Sequence, residues 1–120
     1  MVEIFATNTC GNSPKNALVE QIGIALIVGD FDFLSNLLSD QFVWEMTDGQ
    51  VLRDNLLAKH FPVDVQSIYI SQALSHGKAG AVNGYWCDKK NNNFHFCHVI
   101  EFANAKCTHI KRVCSYHKHP

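Results

Sequence analysis

The sequence predicts an α+β domain in which helices come first and long antiparallel strands follow. Two observations predict it. Apolar residues recur at three- and four-residue spacing from Ala17 to Leu38, and β-branched and aromatic residues crowd the stretches after Asp64, broken by Gly and Asn turns. Helices that precede a meander of strands pack on one face of a curved sheet.

Ser13-Pro14 opens the first helix, a capping hydroxyl followed by proline at the first helical position. Ala17, Leu18, Ile22, Ala25 and Leu26 form its apolar face, and Gly29 ends it. Asp30 caps a second, short helix that carries Phe31, Phe33, Leu34, Leu37 and Leu38 and ends near Ser39-Asp40. Phe42 to Met46 is a short strand, and Asp48-Gly49 is a turn. Val51, Leu52, Leu56 and Leu57 fit a third helix that runs to about His60 and stops at Pro62. Four long strands follow: Val65 to His76, Ala79 to Asp88, Phe94 to Phe102 and Cys107 to Tyr116. Residues 1–12 are expected to form a loose leader.

A two-residue loop at Asn104-Ala105 sets His98 opposite Lys111, Ile100 opposite His109 and Phe96 opposite Val113. The period of two then sorts this hairpin into two faces. One carries Phe96, His98, Ile100, Phe102, Val113, Ser115 and His117. The other carries His95, Cys97, Val99, Glu101, Arg112, Cys114 and Tyr116. Neither face is uniformly polar, so both are expected to be covered, one by helices and the other by a second subunit.

The chain has 120 residues and a mass of 13.5 kDa, which is room for one domain spanning 1–120. It is 47% hydrophobic and 18% charged, enough to build a core and inconsistent with disorder. The formal net charge of -1 offers no basic excess for a row of phosphates, which argues against nucleic acid as a partner. The start of the chain does not read as a signal peptide, and Ile22 to Val28 is too short to cross a bilayer, so no membrane partner is expected. Five cysteines, an odd number, point to reduced thiols in a cytoplasm.

The order of elements resembles the nuclear-transport-factor-two-like superfamily, which includes ketosteroid isomerase and the polyketide-cyclase-like (SnoaL-like) proteins. The helix ending in Gly29-Asp30 carries the resemblance, together with Leu37-Leu38-Ser39-Asp40 leading into Phe42-Val43-Trp44-Glu45. The hairpin strand His98 to Phe102 and the segment Ile110 to Tyr116 complete it. The runs Gly11 to Asn16 and Ser75 to Gly84 are similar to uncharacterised bacterial members. The resemblance implies a cone, with three N-terminal helices closing over a strongly curved antiparallel sheet, and a homodimer through the outer sheet face. It aligns Glu45 with a catalytic base and His98 with a hydrogen-bond donor to an oxyanion. The phenol of the isomerase pattern aligns with Ile22 and is missing.

The expected catalytic pair is therefore Glu45 and His98. A carboxylate desolvated in an apolar cone has a raised pKa, and a nearby imidazole donates or shuttles a proton. Trp44, the strand neighbour of Glu45, is expected to point the other way. Alternation places Val82, Gly84 and Trp86 on one face, which the resemblance turns inward; Gly84 leaves space, and Trp86 forms a wall. Ile100, Val113 and His117 share the His98 face. Leu57 and Phe61 are expected at the mouth. The implied ligand is a small apolar or aromatic compound, and no cofactor or metal is implied. A zinc site at His95, Cys97 and Cys114 is a weaker rival, because the spacing matches no standard pattern and a fourth ligand is missing. The functional expectation is acid–base proton transfer of isomerase, cyclase or dehydratase type on an apolar carbonyl compound; the alternative is a non-catalytic ligand-binding or interaction module.

Overall fold

A computed structural model of the chain describes residues 2–6, 13–52 and 64–118. Its first element corrects an expectation: within the supposed leader, β1 (Glu3–Ala6) is a strand. The helix α1 (Pro14–Val28) follows the local signals closely. The Ser13 hydroxyl accepts from the Asn16 amide at 3.2 Å, and Gly29 closes the helix at a left-handed φ of 78°. Asp30 caps α2 (Phe31–Ser35), with its carboxylate accepting from the Phe33 amide at 3.2 Å.

The helix α2 is shorter than its apolar spacing predicts, because Leu37 and Leu38 leave it to join the sheet. The Ile110 amide donates to the Leu37 carbonyl at 2.6 Å, and Leu38 starts β2 (Leu38–Met46). A run of leucines fits either period, and pairing with a distant strand decides it here. Val51 and Leu52, expected to open a third helix, form the short strand β3 (Val51–Leu52) against β2. The remainder of that predicted helix lies outside the described residues. The long strands are β4 (Val65–His76), β5 (Ala79–Asp88), β6 (Asn93–Phe102) and β7 (Ile110–Lys118).

The seven strands among the described residues form one sheet in the order β1-β4-β5-β6-β7-β2-β3. The meander β4 to β7 is antiparallel, but β1 runs parallel to β4 and β2 runs parallel to β7. The sheet is thus mixed, which corrects the antiparallel expectation. Parallel edges arise because β1 and β2 arrive from connections outside the meander, free of the hairpin geometry that forces reversal.

The last hairpin is also out of its expected register. His98 pairs with Ser115, four residues beyond Lys111, and Ile100 pairs with Val113. The connection is longer than two residues. The Ala103 amide donates to the His109 carbonyl at 2.8 Å, and Cys107 turns the chain at a φ of 59° while burying its thiol in the core. A shift of four is even, so the side chains keep their faces.

The core lies between α1 and the inner sheet face. Ile22, Ile68, Ile100, Ile110 and Val113 are wholly buried there. The helix approaches closely: a Cβ at Gly23 would stand 2.7 Å from Val82. Gly84 serves a different purpose from the one expected. Its missing side chain does not open the interior, because a Cβ there would lie 1.9 Å from the Tyr69 carbonyl oxygen. That crowding sits beside an irregularity of β4, where the pairing skips between Ile70 and Gln72. Gly84→Ala is expected to cost at least ~2–3 kcal/mol. Gly77→Ala, in an open turn at a φ of 58°, is expected to cost about 1 kcal/mol. Urea denaturation of both variants checks the ranking; equal costs would contradict it.

Candidate functional site

Strand alternation in β2 decides what the interior contains. Phe42 and Trp44 are buried, while Val43 and Glu45 lie on the other side and are partly exposed. The Trp44 indole reaches across β7 and donates from Nε1 to the Ser115 hydroxyl at 2.6 Å. The same hydroxyl lies 2.6 Å from His98 Nδ1. One buried oxygen therefore ties β2, β7 and β6 together on the inner face.

Glu45 and His98, expected to face each other, lie on opposite faces of the sheet. Glu45 accepts from Arg112 Nη1 at 3.5 Å and from the Cys114 thiol at 3.5 Å. Arg112 also reaches Glu101, whose second oxygen meets Lys111. This is an exposed outer-face network, well screened by water. The correction has a simple cause. Phe42, Trp44 and Met46 form the apolar alternation in this strand, and burial favours that set over Val43 and Glu45. The signal is present in the sequence, but the resemblance to the isomerase pattern turned the opposite face inward.

The inner face opens into a cavity of about 520 Å³. Leu26 and Ile27 of α1 form one wall, Trp44 and Met46 of β2 another. Trp86, stacked on Phe94 with ring centroids 4.2 Å apart, forms a flat side. His98 and His117 complete the lining from β6 and β7, and the turn residues Thr47, Asp48 and Gln50 supply a polar rim. Thr47 anchors that turn by donating to the Ser115 carbonyl at 2.9 Å. Of the other expected lining residues, Val82, Ile100 and Val113 are core residues that do not reach the cavity. Leu57 and Phe61 lie outside the described residues. Trp44, Met46, Asp48 and Ser115 were not expected in the site.

His98 is wholly buried, with Phe96 stacked on it at 5.0 Å and His117 edge-on at 5.9 Å. Its Nε2 has no hydrogen-bond partner among the described residues. Burial, reinforced by the nearby His117, lowers its pKa from 6.5 to about 3, so the ring is neutral at ordinary pH. Burial pushes the Cys97 and Cys114 thiols up, the latter helped by its hydrogen bond to Glu45, so neither is an activated nucleophile. Among the described residues, no three His, Cys, Asp or Glu side chains gather as a metal site. No helix among them is long and apolar enough to cross a membrane.

The fold matches known structures. The chain has the nuclear-transport-factor-two-like fold, α+β with a curved mixed sheet. It is similar to a nuclear-transport-factor-two-like protein of unknown function from Cytophaga hutchinsonii, at a TM-score of 0.66 and 16% identity, covering 87% of this chain and 99% of that one. It is also similar to a ketosteroid isomerase-like protein from Erwinia carotovora atroseptica, at a TM-score of 0.54 and 14% identity, covering 90% and 99%. A third similar structure is that of a nuclear-transport-factor-two-like protein from Rhodospirillum rubrum, of unknown function in nutrient uptake, at a TM-score of 0.52 and 14% identity, covering 87% and 97%. No family model and no curated protein matches the chain.

The depressed pKa of His98 predicts how stability responds to acid. The unfolded chain takes up a proton at this residue below about pH 6.5, whereas the folded chain resists until about pH 3. The contribution is therefore complete above pH 6.5 and declines as pH falls towards 3, by up to about 1.4 kcal/mol per pH unit. Urea titrations at pH 7, 6, 5 and 4 on wild type and His98→Gln measure it. The variant is expected to show a shallower acid slope than wild type; equal slopes would contradict the assignment.

Proposed function

We propose that the chain binds a compact, largely apolar small molecule in the inner cavity, with one polar group of that molecule set against His98. The observation that carries this reading is a buried imidazole lining a cavity with aromatic and aliphatic walls and a polar rim, its Nε2 without a partner among the described residues. A stranded polar group at such depth is costly to keep, and a ligand that satisfies it recovers the loss. The aromatic wall of Trp86 and the methionine of β2 favour a flat or ring-containing compound.

A second reading is proton transfer of isomerase, cyclase or dehydratase type on a carbonyl compound. Asp48 favours it, since this carboxylate lines the same cavity as His98. Neutral His98 would then donate to the developing oxyanion rather than act as a cationic acid. A library of aromatic and alicyclic ketones, screened by ligand-observed NMR in D2O, tests both readings. Binding is expected, with His98→Leu weakening it about tenfold. Exchange of the ketone α-protons that is lost in Asp48→Asn supports the enzyme; binding without exchange supports the plain binder. No hits, or hits indifferent to His98, would refute the site.

The outer sheet face is proposed to pair with a second copy. Phe5, Leu74, Val99 and Tyr116 are all exposed there, each over 40%. A face that carries this much exposed apolar surface, with charges interspersed, suits a self-complementary interface. Sedimentation of wild type is expected to report a dimer, and Val99→Lys with Tyr116→Glu a folded monomer. The proposed compartment is the cytoplasm, supported by the free thiols of Cys87, Cys97, Cys107 and Cys114.

A further inference from the structure

We infer that Ser115 and Trp44 lock His98 in the neutral tautomer protonated at Nε2, which makes the cavity selective for ligands that present a hydrogen-bond acceptor, of the carbonyl class. This rests on the small-molecule reading above and names the chemistry of the group that meets His98.

What each atom is able to donate or accept decides the tautomer. An indole N–H only donates, so the 2.6 Å contact from Trp44 Nε1 occupies a lone pair of the Ser115 hydroxyl. That hydroxyl keeps one hydrogen and one lone pair for its 2.6 Å contact with His98 Nδ1. A buried, neutral imidazole carries one proton, on Nδ1 or on Nε2. If it sat on Nδ1, that N–H would donate to Ser115. The Ser115 hydrogen would then have no acceptor among the described residues, and the bare Nε2 would have no donor. Two buried polar functions would be stranded. If the proton sits on Nε2, Ser115 donates to the bare Nδ1, and only the Nε2–H is left over. One stranded group costs less than two, so the second arrangement prevails.

Direction in the relay therefore runs from Trp44 through Ser115 to His98 and ends in a donor. An incoming carbonyl satisfies that donor. An alkene of the same shape leaves it stranded, and an ammonium group meets an N–H head-on. The titratable groups around the cavity act in different directions. His117 disfavours a cation at His98, and Asp48, at the cavity rim, disfavours an anionic ligand and attracts a cationic one. Ser115 is thus a positioning residue: it sets which face of the imidazole chemistry a ligand meets.

Long-range 1H–15N correlation spectra of histidine-labelled protein test the tautomer without any ligand. One histidine is expected to show the Nε2–H pattern, unchanged between pH 7 and pH 5, and its signals are expected to disappear in His98→Gln. An Nδ1–H pattern, or an averaged one, would overturn the inference. Ser115→Ala is expected to mix the tautomers, and Ser115→Thr to restore the wild-type pattern. The ligand arm uses 2-acetylnaphthalene, its alkene isostere 2-isopropenylnaphthalene, and 1-(2-naphthyl)ethylamine. The ketone is expected to bind about tenfold tighter than the alkene, and the amine, drawn to Asp48 rather than to His98, to bind equally well to His98→Gln. Equal binding of ketone and alkene to protein with the Nε2–H pattern would refute acceptor selection alone. Failure of all three to bind would refute the small-molecule reading, and acceptor selection with it.

Discussion

A single buried hydroxyl organises the inner face of this sheet. Ser115 lies between the Trp44 indole and the His98 ring at 2.6 Å from each, and the three residues come from three adjacent strands. Burying three polar groups together is tolerable only when their hydrogen bonds are made, so the strands cannot slide without stranding one of them. The consequences spread outwards. Trp44 turned inward forces Glu45 outward, and His98 is left with one nitrogen committed and the other buried without a partner among the described residues. The wall formed by Trp44 and Met46 follows from the same choice.

Backbone proximity sets the shape around this point. The helix α1 can cross the sheet closely because Gly23 and Gly80 have no side chain where Val82 and Val19 sit. Gly84 admits the Tyr69 carbonyl beside an irregular stretch of β4. Towards Leu26 and Ile27 of the helix the two layers leave the cavity. A helix held near the sheet along its length and a gap near one end are what an apolar site with a polar rim requires.

The outer face obeys a different physics. Phe5, Tyr69, Tyr85 and His95 form a row across four strands, with ring centroids at 4.8, 4.5 and 5.4 Å. Glu45, Arg112, Glu101 and Lys111 form an exposed charge network beside them. Such pairs contribute little to stability one by one, but they order the surface that a partner copy would meet.

Much of this was legible in the chain itself. The caps Ser13, Gly29 and Asp30 located the first helix and the start of the second, because capping is chemistry between near neighbours. The period of two sorted His98, Ser115 and His117 onto one face, and that assignment survived a hairpin register displaced by four residues. What the sequence did not determine are choices between partners far apart in the chain. Leu38 joined β7 rather than extending a helix, β1 found β4 in parallel, and the 71-residue separation from Trp44 to Ser115 decided which side of β2 is buried. Local pattern reports a period and its phase relative to itself. Which face is inward is fixed only when distant groups compete for the same space and the same hydrogen bonds, and that competition exists only in the folded chain.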